Sequence, residues 1–314
     1  MVKVIISIVI PVYNRAEMVK ATLESVRRQT HRPLHLVLVD NNSSDNTLQV
    51  LQNFKEENET IDFKIDVIEE KTPGACAARN AGAKLVKSEW LMFFDSDDTM
   101  DDCLVAEYVK KINQCSNEVD VVTTNIDFNK NGHVTHAFFA RKNFFENHIF
   151  HACLSTQRYI MRKALFEKSG GWNNDVKCWN DWELGIRILL QEPRIEVLDS
   201  GIYVHVNVHD ESITGSAYSQ NHERREYAMT KAIQAVEQSN YIKKDKISRL
   251  LRARRFVLAG LYKKEKQLEL AESFYAKSLL DVRDDKLMRI IAPVIYQYVG
   301  CGGRGIDRLL RILI

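Results

Sequence analysis

Three carboxylates fall within four residues where the apolar run 90–94 ends, in Phe93-Phe94-Asp95-Ser96-Asp97-Asp98. Crowded like charges raise the electrostatic energy unless a cation neutralises them. Oxygen ligands grouped in this way suit Mg²⁺ or Mn²⁺, with a diphosphate supplying further ligands; a solvated acidic turn ahead of a helix is the plainer alternative. Asp40 closes the earlier apolar run 34–39, where a carboxylate can accept a hydrogen bond from a base N–H or a ribose hydroxyl, or simply start a turn. Lys71 and Arg79 lie in or beside the segment after a third apolar run, 64–69. Arg offers a fork of donors and Lys a point charge to a diphosphate, and both would be equally at home as solvated cations.

A second acidic group occurs in Trp179-Asn180-Asp181-Trp182-Glu183. Residues two apart on a helix point to different faces, so Asp181 and Glu183 do not act together; one of them can take a proton from a hydroxyl, the plainer alternative being Asp181 as an N-terminal helix charge favoured by the macrodipole. Trp172, Trp179 and Trp182 are candidates to stack on a sugar face, against the usual role of aromatic side chains as core. His205 and His209 are four apart, but Val204, Val206 and Val208 between and beside them read as strand, which excludes same-face metal binding by a helical pair. A single ligand remains, His209 at the polar end. No Gly-x-Gly-x-x-Gly follows the first apolar run and no P-loop sequence occurs, which argues against a dehydrogenase or a P-loop enzyme.

The elements that must hold these residues alternate simply. Apolar runs at 4–10, 34–39, 64–69 and 90–94 are separated by helical patterns at about 15–29, 45–58 and 75–87, which predicts βαβαβαβ and an α/β fold with a mostly parallel sheet flanked by helices. Ligands of such sheets bind beyond the carboxyl ends of the strands, where the polar residues above lie. Asn14 with Glu17 three residues on reads as a helix cap, and Met18, Val19, Thr22, Leu23 and Val26 as the buried face. A helix at about 101–115, a strand at 119–124, a turn at Ser169-Gly170-Gly171-Trp172 and a helix at about 181–191 follow. From 222 onward the pattern is helical, with breaks expected near Pro293 and at Gly300, Gly302, Gly303 and Gly305. The division expected is a domain at 1–218 and a helical C-terminal extension at 219–314.

With 314 residues, 45% apolar and 27% charged, the chain can bury one large core plus an appendage. Six cysteines show no metal or disulfide spacing, which fits a reducing compartment. The apolar N-terminus ends at Pro11, far short of the roughly 20 residues of a membrane span. The net charge of +2 conceals an asymmetry: residues 241–314 carry 17 Lys and Arg against 8 Asp and Glu, and residues 1–240 carry 27 against 34. Apolar clusters joined to cations at 288–295 and 309–314 suit an anionic membrane surface, with packing on the catalytic domain or on a second subunit as alternatives. A cytoplasmic protein, peripheral on the cytoplasmic face of the membrane, is the expectation. No nucleic-acid partner is expected.

Taken together, Ser7 through Asn14, Val37 through Asp45, Gly74 with Arg79-Asn80-Ala81-Gly82, Phe94 through Asp98, Gly170-Gly171-Trp172, Asn180-Asp181, and His209 with Ser212-Ile213-Thr214 make the chain resemble the family 2 glycosyltransferases of the GT-A fold. The resemblance spans about residues 5–215. It implies donor contacts from Pro11, Tyr13 and Asn14, base reading by Asp40, and ribose and metal contacts from Asp95, Ser96 and Asp97. Asp97 is then the foremost ligand for Mg²⁺ or Mn²⁺, His209 touches the metal or diphosphate, and Asp181 is the catalytic base. Many members carry Glu-Asp where this chain has Asn180-Asp181. The implied function is inverting transfer of a sugar from a nucleotide sugar, UDP by default, to a saccharide or lipid-linked saccharide, in cell-surface polysaccharide or glycolipid synthesis, by a monomer or homo-oligomer. Two other readings stand beside it. A sugar nucleotidyltransferase would carry a Gly-rich basic loop after the first strand; a noncatalytic protein would be either a nucleotide-sugar binder that has lost one of the acids or an assembly component acting through the helical tail, told apart from an enzyme by donor hydrolysis.

Overall fold

The computed structural model describes residues 4–115, 118–209 and 217–314. In chain order the elements are β1 (Ile6–Val12), α1 (Val19–Arg27), β2 (Leu34–Asp40), α2 (Thr47–Asn58), β3 (Phe63–Glu69), α3 (Ala75–Leu85), β4 (Trp90–Phe93), β5 (Thr99–Met100), α4 (Leu104–Gln114), β6 (Val121–Lys130) and β7 (His133–Ala137). There follow α5 (Phe144–His151), β8 (Tyr159–Arg162), α6 (Lys163–Lys168), α7 (Asn180–Leu189), β9 (Ile195–Asn207), α8 (His222–Gln238), α9 (Lys244–Lys264), α10 (Leu268–Leu280), α11 (Lys286–Gly300) and α12 (Ile306–Leu313). The chain divides into two compact units: residues 1–141, 154–175 and 191–211 form one, and 142–153, 176–190 and 212–314 the other.

The first unit holds one mixed sheet in the order β3-β2-β1-β4-β8-β6-β9-β5, with β7 paired to β6. The first four strands are mutually parallel, as the alternating pattern predicts, and β8 runs antiparallel to both β4 and β6. Every residue of β1 and β2 is buried, which explains why these strands read as continuous apolar runs rather than alternating ones. Two of their three buried polar side chains satisfy each other: Ser7 Oγ lies 3.1 Å from His35 Nδ1, and His35 Nε2 lies 2.9 Å from Asp66. Val12 pairs with Asp40 and Asp40 with Glu69. The carboxyl ends of three strands are therefore level, and their loops emerge side by side.

Helix α3 lies flush on β1 and β2 because Gly82 has no side chain. A Cβ there would stand 2.5 Å from Val9 Cγ1 and 2.9 Å from Val39 Cγ2. Gly82→Val is expected to cost about 1–3 kcal/mol or more by overpacking, read as a lower urea midpoint; an unchanged midpoint would show that α3 can lift without penalty.

The second unit is helical. Helix α9 is its hub, packing against α5, α8, α10, α11 and α12, with Leu250, Leu251, Phe256 and Leu258 fully buried.

Two local expectations change. Asn14 does not cap α1: its backbone is left-handed (φ 49°) and its side chain accepts from Ser44 N at 2.7 Å, a conformation that Asn tolerates better than most residues. The helix begins instead at Val19, with Val19 N donating to Arg15 O, and leaves Met18 exposed. Pro293 does not break the C-terminal helix. It lies inside α11 on the exposed face, where the ring meets solvent instead of packed side chains and the helix gives up one i→i−4 hydrogen bond.

Candidate active site

The loops after β1 and β2 are stitched together by short polar side chains. Asn14 N donates to Ser43 Oγ (3.0 Å), Arg15 N to Thr47 Oγ1 (2.9 Å) and Ala16 N to Asp45 Oδ2 (3.2 Å). Asn41 extends the lacing to the third loop, its side chain donating to Glu70 O and Thr72 O and accepting from Gly74 N. Gly74 has φ 119°, a backbone that favours glycine. These loops fix three of the donor-side candidates: Pro11 is buried within β1, Tyr13 is exposed at its end, and Asp40 is 1% exposed. Asp40 Oδ2 accepts from Ser43 N at 3.0 Å, whereas its Oδ1 is buried without a partner among the described residues. An unpaired buried carboxylate oxygen is costly, and a donor arriving on a ligand would relieve it.

The acids after β4 separate into different roles. Asp95 Oδ1 accepts from Arg79 Nη2 at 2.6 Å, and Asp97 Oδ2 is met by both Arg15 Nη1 at 2.6 Å and His209 Nε2 at 2.9 Å. Ser96 between them is buried. Asp98 turns inward, its oxygens accepting from Gln157 Nε2 (2.6 Å) and Asn207 N (3.0 Å). The three carboxylates therefore do not converge on one cation, because Asp98 is taken up in bracing the loop. Burial, with Asp95 and Asp97 adding to it, pushes the Asp98 carboxyl well above its usual range. Burial likewise raises Asp95 despite the Arg79 charge. A further cation at this place would offset that cost.

Among the described residues no cluster of three or more His, Cys, Asp and Glu could hold a metal. The set on offer is one carboxylate and one imidazole, Asp97 and His209, in direct contact. That pair fits Mn²⁺ or Mg²⁺ when phosphate oxygens and water complete the shell, since Mg²⁺ in particular keeps several waters and few protein ligands. Ser212, Ile213 and Thr214 lie outside the described residues.

Arg79 stands on α3 over Trp172, its guanidinium 4.4 Å from the ring centroid, and Trp172 meets Phe93 edge-on at 5.2 Å. Asn80 clamps the turn that delivers this tryptophan, donating to Trp172 O (2.8 Å) and accepting from Trp172 N (3.0 Å). Gly171 there has φ 68°. Trp172 is 3% exposed, so it is no acceptor platform; it is the floor under Arg79. Lys71 is exposed on the loop after β3 and joins no ion pair of the described residues.

His205 also proves structural, held between Asp101 (3.1 Å) and Asp127 (3.0 Å). Burial works to lower its pKa, but the two carboxylates outweigh burial and raise it. The folded state then binds this proton more tightly than the unfolded chain. The resulting stabilisation is full below the unfolded value of about 6.5 and drains away as pH rises through the folded one. His205→Gln is expected to lower Tm on the acid side, with the gap closing toward alkaline pH. Thermal melts across pH check this, and a gap that widened with pH would contradict it.

In the helical unit Asp181 opens α7. Asn180 Oδ1 accepts from Asp181 N and Asp181 Oδ1 from Trp182 N, each at 2.8 Å. Glu183 is buried in a two-point ion pair with Arg187 (2.8 and 2.7 Å), which removes it from proton transfer and leaves Asp181 as the candidate base. Trp182 is 3% exposed and donates its ring N–H to the carbonyls of His148 and Ile149; it is core and not a sugar platform. Trp179 is half-buried beside the guanidinium groups of Arg225 and Arg254, 5.8 and 5.5 Å from its centroid.

Sequence reasoning gave no role to Arg15, Asn80 and Gln157. A cation directly after the first strand, in a site whose fourth strand ends in acids, was the available signal for Arg15, and the Arg79-Asn80-Ala81-Gly82 stretch was the signal for Asn80; nothing local marks Gln157.

The family model for Glycosyl transferase family 2 matches residues 7–167. An uncharacterized glycosyltransferase of Haemophilus influenzae is 29% identical over 60% of this chain and 63% of its own length. A PGL/p-HBAD biosynthesis glycosyltransferase of Mycobacterium bovis is 29% identical over 58% of this chain and 68% of its own. The chain thus spans under two thirds of the first of these relatives. Among solved structures, S. aureus TarS 1–349 in complex with UDP-GlcNAc superposes with a TM-score of 0.74 at 20% identity, covering 94% of this chain and 87% of that one. The mannosyltransferase PcManGT of Pyrobaculum calidifontis, in complex with GDP-Man and Mn²⁺, gives 0.59 at 17% identity, covering 94% and 84%. At these identities the likeness is one of fold.

Proposed function

The chain belongs to glycosyl transferase family 2, and on that footing we propose that it transfers a sugar from a nucleoside diphosphate sugar, UDP in the first instance, to an acceptor hydroxyl with inversion. The observation that carries the donor half is Asp40, whose buried Oδ1 lacks a partner among the described residues at the level strand ends where open α/β sheets bind ligands. An imide N–H of a pyrimidine base supplies the missing donor, and Tyr13, exposed beside it, offers a ring for the base to stack on.

Asp97 and His209 would hold Mg²⁺ or Mn²⁺, which when bound neutralises charge on the diphosphate leaving group. Arg15 and Arg79 already stand on Asp97 and Asp95, so their forks can add donors to phosphate oxygens as charge develops there, with Lys71 free to swing in from the loop. Asp181 accepts the acceptor's proton as the hydroxyl attacks the anomeric carbon. A single displacement inverts that centre. The catalytic part is taken as residues 1–218, which includes Asp181, and residues 219–314 as an extension that brings the enzyme to a membrane where a lipid-linked saccharide waits.

The test is a panel of nucleotide sugars incubated with the full chain and Mn²⁺, followed by thermal melts and nucleotide release. A donor at 100 times its Kd should add about 2.7 kcal/mol of stability, and nucleotide should be released. A panel in which no nucleotide sugar stabilises the chain or is consumed would overturn the reading; stabilisation without turnover, in the presence of saccharide acceptors, would instead favour a binder.

A further inference from the structure

We propose that the outer faces of α11 and α12 form an interfacial docking surface for an anionic lipid bilayer. This specifies the membrane half of the proposal above and does not depend on the donor chemistry.

On α11, Met288, Ala292, Ile295, Tyr296 and Val299 are buried, and the helix is pressed closely against α9, where a Cβ on Gly260 would stand 2.7 Å from Val299 Cβ. The apolar requirement of the core is met on that side. The opposite side nevertheless carries Ile290, Val294 and Tyr298, each four residues apart and therefore in one row, all exposed, with Ile290 at 70%. Tyr298 continues the row toward α12, its hydroxyl donating to Arg304 O at 2.8 Å.

Helix α12 repeats the arrangement. Leu310 is buried, Arg311 bonds Asn147 and Asp307, and His151 also meets Asp307, so the helix is anchored on its inner side. Leu309, Ile312 and Leu313 remain exposed, Ile312 at 82%. Single exposed apolar residues need no explanation. Six of them in two rows on helices already packed behind do.

Charge selects the occupant. Residues 286–314 hold five Lys and Arg and one acid, Asp307, which is occupied by His151 and Arg311. Lys286, Arg289, Arg304 and Arg308 are exposed and join no ion pair among the described residues. A second copy docking through this surface about a two-fold axis would set the same patch against itself, cations against cations, with no acid to answer them. An anionic headgroup layer answers all four, while the apolar rows enter the acyl boundary to a depth of about 5–10 Å. No described helix is long and apolar enough to cross a membrane, so the contact is one of lying on the surface.

Flotation of the full chain with vesicles of phosphatidylcholine plus phosphatidylglycerol, and with phosphatidylcholine alone, tests the proposal. The parent chain is expected to float with the anionic vesicles, and less so as salt rises. Ile290→Ser with Ile312→Ser should weaken binding about tenfold or more. Arg289→Gln with Arg308→Gln should weaken it about fivefold for each cation removed. All four positions are exposed, so thermal melts should match the parent, and calorimetric affinity for UDP with Mn²⁺ should not change. Failure of the parent to float, or variants that float like the parent, would overturn the proposal without touching the donor site. A parent that stays unbound and sediments as a dimer, dissociated by the isoleucine changes, would overturn it in favour of a second copy.

Discussion

Asp97→Asn is expected to abolish metal-dependent donor binding while leaving the protein folded. The carboxylate accepts from Arg15 and His209 on one oxygen, and the amide keeps the shape while surrendering the negative charge that a hard divalent cation requires. Removing an outer-shell partner of a metal ligand costs about 10–100-fold in affinity; removing the carboxylate itself should exceed that. The folding side is mild because the Arg15–Asp97 pair is only partly buried, and such pairs contribute about 0–1 kcal/mol. Calorimetry of UDP with and without Mn²⁺, beside a thermal melt, separates the two. Parent-like binding in the variant would take Asp97 out of the metal site.

The contrast between Asp97 and Asp98 shows what a sequence can carry. Three acids after a buried strand announce a charged loop, but their division of labour depends on Gln157 and Asn207, 59 and 109 residues away, and no local pattern encodes that. Strands β1, β2 and β4 were legible because burial at every position demands nearly unbroken apolar runs, the edge strand β3 from its partly alternating pattern, and the helices between them because loop polarity marks where each strand stops. Asn14 was misread for a related reason: a cap and a loop-bridging residue call for the same short polar side chain, and only the neighbouring strand decides between them. Trp172 and Trp182 were ambiguous in the same way, since a ring that could face a sugar can equally be roofed by Arg79 or sealed against α5. The grouping of 142–153 and 176–190 with 212–314 rests on contacts between distant segments, which periodicity within a segment cannot report.

Asp181→Asn is expected to lower the transfer rate by about 10²–10⁴-fold, the usual contribution of a general base, with donor affinity nearly unchanged. Its neighbour Glu183 cannot substitute, being committed to Arg187 at 2.8 and 2.7 Å within the protein interior. Asn180, where many family members carry an acid, accepts from Asp181 N and so serves the helix start. The amide in Asp181→Asn retains an oxygen able to accept from Trp182 N, so the first turn of α7 should survive and the melting temperature should stay close to that of the parent. Rate and binding must therefore separate: turnover falls while calorimetry of the donor does not. NMR of the product adds the stereochemical half, because a base-assisted single displacement delivers the anomeric configuration opposite to the donor's. Near-normal transfer in Asp181→Asn would eliminate this residue as the base, and a product retaining the donor's configuration would replace single displacement with a two-step route through a covalent intermediate.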